Sequence, residues 1–459
     1  MPTFNELPSL PHALIQATAA LGYIDMTDIQ AAALPPMLQR RDVVAQALTG
    51  SGKTAAFGLA LLALLQPQQI RLQSLVLCPT RELADQVSKE IRALARFIPN
   101  VKVLTLCGGI PVHTQLASLT HEPHIVVGTP GRILDLCGKG ALKFDALQTV
   151  VLDEADRMLD MGFLDDVGAI LQLTPSTRST WLFSATYPPE IRALSAQFQK
   201  DALNVTVERQ HDASVIEQLF FEVDTNAKPQ ATLTLLRQRQ PDSCLIFCNT
   251  KIDVATLGDF LWKHGVPALA LHGDLEQRER DETLVQFANG SCRVLVATDV
   301  AARGLDIKAL PMVLAYEPPN DADIHTHRIG RTGRAGERGV ALTLVAPDEM
   351  RRMERIEALV RGEIVWSKLP PNTSAALPAP TMRTLVIDAG RQDKLRPGDI
   401  VGALTGAGGL QKEQIGKIDV FATRAYVAVA RALADRVREK LRTGKIKGKS
   451  FRVRTLGAQ

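Results

Sequence analysis

Aromatic residues are scarce in this chain: 3 Trp, 4 Tyr and 14 Phe among 459 residues, or 5%. So few rings leave little scope for a broad aromatic platform for base stacking. There are six cysteines, none arranged as C-x-x-C. That excludes a disulfide framework and the usual zinc spacings; Cys244 and Cys248 flank an apolar Leu245, Ile246 and Phe247 and are expected in a strand core. The nine histidines show no ligand spacing, and His121 and His124 read as loop residues. No apolar run approaches the ~20 residues of a membrane-spanning helix. Residues 1–14 lack a basic stretch followed by an apolar core, so no secretory leader is expected and the reading is cytoplasmic.

Net charge is also small, +4, but it is unevenly spread. Of the 53 Lys and Arg and 49 Asp and Glu, residues 371–459 hold 17 and 7, leaving 36 and 42 in residues 1–370. A basic tail on a mildly acidic body points to a polyanionic partner for the tail, although a solvated charged surface has the same composition.

Two stretches carry the strongest chemistry. In A-Q-A-L-T-G-S-G-K-T, residues 45–54, the backbone N–H groups of Thr49, Gly50, Ser51 and Gly52 are expected to ring a phosphate. Lys53 reaches the outer phosphates and the Thr54 hydroxyl is a candidate Mg2+ ligand. Ala47 stands where the general phosphate-loop pattern has its first glycine. An apolar strand before the loop and an apolar helix after it supply the context that separates this motif from an ordinary glycine turn. The second stretch, L-D-E-A-D at 152–156, comes after a short apolar strand. Asp153 is placed to hold the metal and Glu154 to orient and deprotonate a water. Together they predict hydrolysis of a nucleoside triphosphate, with Mg2+ as a cofactor.

Buried strands alternate with helices up to about residue 208, the pattern of a doubly wound parallel sheet. After a polar break at 208–214 a second alternating series begins, with strands expected near 243–249, 267–273, 293–299 and 341–347. Residues 369–381 are rich in Pro, Ala and Ser and read as a linker, whose length would limit the reach of the tail to tens of ångströms. The tail, 382–459, has the pattern of a small α+β unit, βαββαβ, with helices starting near Pro397 and Ala432. The expected fold is therefore α/β: two tandem doubly wound domains, 1–208 and 209–368, a linker, and a ferredoxin-like tail.

Many short motifs along residues 1–365 resemble, in order and spacing, those of the DEAD-box RNA helicases, whose two domains are RecA-like. Phe4 and Thr27 to Gln30 are similar to the adenine-recognition motif, with Met26 where proline is usual. The Gln30 carboxamide both donates and accepts, as adenine N7 and N6 require. Pro79, Thr80 and Arg81; Gly108 and Gly109; and Thr129, Pro130, Gly131 and Arg132 match the family's RNA-contacting motifs. Their small residues and helix starts suit phosphate rather than bases. Ser184 and Thr186, with Asp156, match the network that couples ATP to RNA binding. In the second domain Gln277, Arg280, Thr298 and Arg303 match RNA-contacting positions, while Gly304 and Asp306 match contacts to the nucleotide ribose. The run from His327 to Arg334 matches the arginine motif, which implies that Arg331 and Arg334 neutralise the γ-phosphate and that His327 takes part in coupling.

A core of this kind with a small basic tail resembles the DbpA branch of the family. That resemblance implies a structured hairpin of 23S ribosomal RNA, in large-subunit precursor particles, as partner, and a monomer with no membrane partner. The tail departs from the usual RNA-recognition pattern: Tyr426 is expected outward on the sheet, but Arg424 and Val386 stand where further aromatics are usual. Electrostatic recognition by Arg424, Lys445, Lys447, Lys449, Arg452 and Arg454 is therefore expected. An ATP-gated RNA clamp that binds without unwinding has the same residues and stays open as an alternative, and a DNA translocase of the same superfamily is disfavoured by D-E-A-D and Gln30.

Overall fold

The computed structural model describes the chain except residues 1, 8, 48–49, 208–215, 303–309, 321, 334–337, 360–363, 407–408 and 458–459, and the side chains of 322–323 and 358–359. The chain divides into two compact units, one formed by Met1–Gln210 and the other by most of the remaining residues.

In the first unit, strands β1 (Val43–Gln46), β2 (Ser74–Leu77), β3 (Val103–Leu106), β4 (Ile125–Gly128), β5 (Thr149–Asp153), β6 (Ser179–Ser184) and β7 (Leu203–Thr206) form one sheet ordered β3-β4-β2-β5-β6-β1-β7. Every neighbouring pair is parallel. Strands β2, β4, β5 and β6 are buried at every position, because their aliphatic runs face helices on both sides of the sheet. Alternation divides the core: Val43, Ala45, Trp181 and Phe183 pack on one face, Val44, Val150, Leu152 and Leu182 on the other.

The second unit repeats the plan. Strands β8 (Ile216–Glu222), β9 (Cys244–Cys248), β10 (Ala268–Leu271), β11 (Val294–Thr298), β12 (Met312–Ala315) and β13 (Gly339–Val345) form a parallel sheet ordered β10-β11-β9-β12-β13-β8. Numbered from its own first strand, each sheet runs third, fourth, second, fifth, sixth, first; the first sheet adds β7 beyond β1. Cys244 and Cys248 are buried free thiols in β9. His124 lies in a loop but is buried, its ring accepting the Lys102 N–H at 3.1 Å.

The tail has β14 (Met382–Ile387), β15 (Ile415–Val420), β16 (Ala425–Ala430) and β17 (Val453–Thr455), with helices Pro397–Thr405 and Ala434–Thr443. Its antiparallel sheet is ordered β15-β16-β14-β17, the ferredoxin-like arrangement expected from βαββαβ. Leu385, Ile387, Val427 and Val429 face the tail's own helices. The other face does not stand open. Val386, Tyr426 and Leu456 pack with Val285 of the second domain's helix Gln277–Ala288.

This corrects two expectations. Tyr426 does not face outward: it is 3% exposed, with Phe421 edge-on at 5.3 Å. Thr384, Val386, Tyr426 and Ala428 alternate on one sheet face, which is too apolar to be left to solvent. Nor is the linker a free tether. Residues 367–380 carry no helix or strand, yet Asn372 accepts from Thr234 at 3.4 Å, Ala376 O from Gln240 at 3.4 Å, and Leu377 joins the second domain's core.

Candidate nucleotide and RNA sites

A parallel sheet puts every strand's carboxyl end on one edge, and the first unit's motifs all lie just beyond such ends. The phosphate loop comes after β1, D-E-A-D begins at the end of β5, and Ser184 ends β6. These strands are adjacent in the sheet, Gln46 pairing in register with Ser184 and Asp153 with Phe183. The residues expected to meet RNA come after β2, β3 and β4, which form the other half of the same edge. The residues expected to serve nucleotide and those expected to meet RNA are thus separated along the sheet by strand order.

At the nucleotide half, Gly50 and Gly52 have φ of +83° and +93°, which a side chain would strain. A Cβ on Gly52 would lie 2.5 Å from Gln30 Nε2. Lys53 is buried and donates to Ala47 O at 2.8 Å, a carbonyl of its own loop. The Ser51 hydroxyl is buried and, among the described residues, has no hydrogen-bond partner, a polar atom left for a ligand. Gln30 is buried with both ends of its carboxamide engaged, accepting from Thr27 N at 2.9 Å and donating to Gly52 O at 3.1 Å. It therefore ties the adenine-type motif to the phosphate loop. Phe4 is buried in the first unit's core, so stacking on a base requires it to expose a face. Thr54 lies in the first turn of helix Lys53–Leu64. Thr49 lies outside the described residues.

The carboxylates are arranged around β5 and β6. Asp156 Oδ2 accepts from Ala185 N (3.1 Å), Thr186 N (2.9 Å) and Thr186 Oγ1 (3.2 Å), while Ser184 Oγ accepts from Asp156 N at 3.1 Å. This is the hydroxyl and carboxylate network expected from the sequence. Glu154 is held in the left-handed region at φ +52°, a strained conformation for a side-chain-bearing residue. Its carboxylate accepts from Arg157 at 3.0 Å, a buried pair that the motif reading overlooked although i,i+3 spacing across a helix start signals it. Asp153 is buried; desolvation raises its carboxyl to about 7, with Lys53 opposing and Glu154 and Asp156 adding to the rise. A buried carboxylate so short of positive charge suits a divalent cation. Among the described residues no cluster of three metal-ligating side chains occurs. Mg2+ does not need one, since it keeps water and phosphate oxygens and takes one or two protein oxygens such as Asp153 and Thr54.

On the RNA half, Thr80, which comes after Pro79, caps helix Arg81–Leu94, its Oγ1 accepting from Leu83 N at 3.3 Å. Gly109 has φ +74°. The Gly108 N–H reaches Thr129 Oγ1 at 3.4 Å, which links two of the motifs. Thr129 precedes helix Pro130–Gly138, in which Gly131 is exposed and Arg132 donates to Ile110 O at 2.9 Å. In the second unit Gln277 and Arg280 occupy the first turn of helix Gln277–Ala288, after β10, and Thr298 ends β11. Arg303, Gly304, Asp306 and Arg334 lie outside the described residues. His327 lies in helix Ala322–Ile329, and Arg331 comes after it, 5% exposed. Arg328 of the same motif is the unforeseen hub. It is 2% exposed, pairs bidentately with Asp299 at 2.8 and 2.7 Å, and donates to Asn249 Oδ1 at 2.6 Å and Glu317 O at 2.7 Å. A fork so fully engaged holds the arginine motif to the ends of β9, β11 and β12.

In the tail, three loops meet at one end of the sheet. Arg424 pairs with Asp388 at 3.4 Å, Arg391 N donates to Phe421 O at 2.8 Å, and Lys447 donates to Lys394 O at 2.8 Å. Arg391, Lys394, Lys445, Lys449 and Arg452 are exposed there. Arg391 and Lys394 do not stand out in the sequence, because only folding brings their loop against the Lys445–Arg452 loop. Arg454 lies elsewhere, on the docked face, 3.0 Å from Glu282.

A phosphate loop, a buried carboxylate cluster and an RNA-type sheet edge define a nucleotide-driven enzyme that acts on nucleic acid. Residues 27–194 match the DEAD/DEAH box helicase model, 227–336 the helicase conserved C-terminal domain, and 384–455 the DbpA RNA binding domain. The chain is 52% identical over 456 residues to the ATP-dependent RNA helicase DbpA of Escherichia coli, covering 99% of this chain and 100% of the relative. It is 36% identical to the DbpA of Bacillus subtilis, covering 97% of each. Among solved structures it is similar to S. cerevisiae Dbp5 bound to RNA and ADP BeF3, with TM-score 0.73 and 29% identity over 80% of this chain and 96% of that one. The chain belongs to the DEAD-box ATP-dependent RNA helicases, and its tail is of the DbpA type. No helix among the described residues is long and apolar enough to cross a membrane.

Proposed function

We propose that this helicase is directed by its basic tail to a structured hairpin of 23S ribosomal RNA in precursors of the large ribosomal subunit, and works there as a cytoplasmic monomer. The observation that carries the mechanism is the division of the first sheet's edge, with nucleotide residues over β5-β6-β1 and RNA residues over β3-β4-β2. Lys53 grips the outer phosphates. Thr54 and Asp153 would hold Mg2+, which supplies charge to phosphate oxygens. Glu154, aimed by Arg157, takes the proton of the attacking water. Arg331 and Arg334 supply the positive charge that the departing γ-phosphate needs, an effect commonly worth ~10³-fold or more.

Because these parts belong to two domains, turnover requires closure, and RNA lying across both favours it. RNA and ATP then raise each other's affinity equally, typically by about 1–3 kcal/mol. Asp156, Ser184 and Thr186, at the ends of β5 and β6, carry that coupling, with His327 contributing from the second domain. A bound strand that is bent no longer fits a duplex, and at about 1–2 kcal/mol per base-pair step one closure frees only a few pairs.

The tail reads shape and phosphate through its loop end, where Arg424, Lys445, Lys447 and Lys449 are joined by Arg391 and Lys394. Crosslinking in cells followed by sequencing of the bound RNA tests the target: one 23S region supports the reading, and a broad spread of transcripts overturns it. In binding of 23S RNA by the full chain, Lys445→Ala with Lys449→Ala should lower the slope of log affinity against log salt by roughly one to two. An unchanged slope would remove the electrostatic account.

A further inference from the structure

Three rings run from the segment that leaves the second domain to the helix of the arginine motif. Trp366 forms an isolated parallel bridge with Phe220 of β8. The bridge is gripped on both flanks: Phe220 N donates to Val365 O at 3.0 Å, and Ser367 N donates to Phe220 O at 2.8 Å. The Trp366 and Phe220 rings are 6.0 Å apart. The Phe220 ring is also 6.0 Å from the imidazole of His325, in helix Ala322–Ile329. Gln218 shares a face of β8 with Phe220, and its Oε1 lies 3.2 Å from His325 Nε2. Phe220 is 1% exposed and forms a small core with Val345, Met353 and Ile356, apart from the sheet's main core. Because β8 ends the sheet, some segment has to cover its edge. Covering an edge does not require one of the chain's three tryptophans.

The helix is held at two places. Arg328 fastens it to the ends of β9, β11 and β12, and His325, one turn earlier, fastens it to β8. Beyond the helix the backbone stays tied to it. Arg331 N donates to Arg328 O at 3.2 Å and Thr332 N to Ile329 O at 3.0 Å, while Arg331 O accepts from Leu310 N at 3.0 Å. A displacement of the helix at His325 is therefore passed on to Arg331. For a charge that stabilises a transition state, a shift of about 1 Å can cost up to ~10²-fold in rate. We propose that Trp366 and Phe220 are positioning residues for the Arg331 guanidinium: the ring run sets where helix Ala322–Ile329 sits on β8, and so where the finger lies when a γ-phosphate is presented. Both act through His325 rather than on the nucleotide. The segment that leads into the linker is thereby part of the ATPase. The inference rests on the proposed role of Arg331 at the γ-phosphate.

The test measures steady-state ATPase of the full chain saturated with 23S ribosomal RNA. Trp366 is 41% exposed, so Trp366→Ala leaves the core intact. It should lower kcat ~10-fold with KM for ATP unchanged, and raise amide hydrogen exchange at residues 330–332. Trp366→Phe keeps a ring and should restore both. Trp262→Ala, which removes a tryptophan of similar exposure from another helix, should behave as the parent. Added to Arg331→Ala, Trp366→Ala should cost nothing further, because its effect passes through that side chain. Parental kcat in Trp366→Ala would overturn the inference, as would the same ~10-fold loss in the Arg331→Ala background. Parental turnover in Arg331→Ala alone would instead sink the reading beneath it, so the two failures are distinct.

Discussion

Lys53 and Lys228 stand at matching places in two sheets of the same strand order. Each is the first residue of the helix that comes after its sheet's first strand. Lys53 is held by the carbonyl of Ala47, a neutral partner in its own loop. Lys228 is held by a carboxylate, Glu349, at 2.6 Å, with the Tyr316 ring 5.6 Å from its ammonium. The run into Lys53 contains two glycines in the left-handed region, whereas the run into Lys228 contains none. One scaffold thus carries two kinds of buried lysine. The first can exchange a weak partner for a phosphate, and the second is locked into an ion pair whose loss leaves a charge stranded.

Exchanging the two lysines' fates is the sharpest way to break that comparison. Lys53→Ala should lower RNA-stimulated ATPase by ~10²-fold or more with little change in stability. Lys228→Ala should do the reverse, destabilising the second domain by ~3–5 kcal/mol while leaving turnover per folded molecule intact. Steady-state ATPase and denaturant melts on both variants decide it; a catalytic defect of equal size in Lys228→Ala would end the contrast. Within the first domain, Glu154→Gln should cut kcat by ~10²–10⁴-fold while nucleotide binding persists. Turnover at the parental rate would remove the general-base role.

The smallest effect is one of pH, and it belongs to the second domain. His325 is buried against Gln218 and Phe220, and burial, with Arg328 adding to it, lowers its imidazole to about 4. An unfolded histidine takes its proton near 6.5. Between pH 4 and 6.5 the unfolded chain binds more protons, so stability rises with pH across that window and is lost as acid is added, by at most ~3 kcal/mol. Denaturant melts at pH 5 and pH 7 should show the loss, and His325→Gln should flatten it.

The phosphate loop, D-E-A-D and the arginine motif were legible because each is contiguous: a few neighbouring residues with fixed spacing already define the local geometry and its chemistry. The strands were legible for a related reason, since an aliphatic run buried on both faces can do little else between two helical segments. The tail's βαββαβ order likewise came from local pattern. Tyr426 was misread because alternation says that a side chain leaves the sheet on one face but not what waits there. The hub at Arg328 was visible as a letter in a motif, yet its partners Asp299, Asn249 and Glu317 come from three other strand ends.

What the amino-acid order determined by itself is therefore the inventory: two parallel-sheet domains, a phosphate loop with its carboxylates, a pair of candidate arginine fingers and a basic ferredoxin-like tail. What only the tertiary structure decided is the allocation of surfaces, namely which half of a sheet edge carries the phosphate loop and its carboxylates, which lysine is committed to an ion pair, and which face of the tail is sealed against Glu282 and Val285. The physical reason is range. Propensity, spacing and hydrophobic period act over a few residues, whereas burial and ion pairing join groups such as Glu282 and Arg454 that lie far apart along the chain and meet only after it folds.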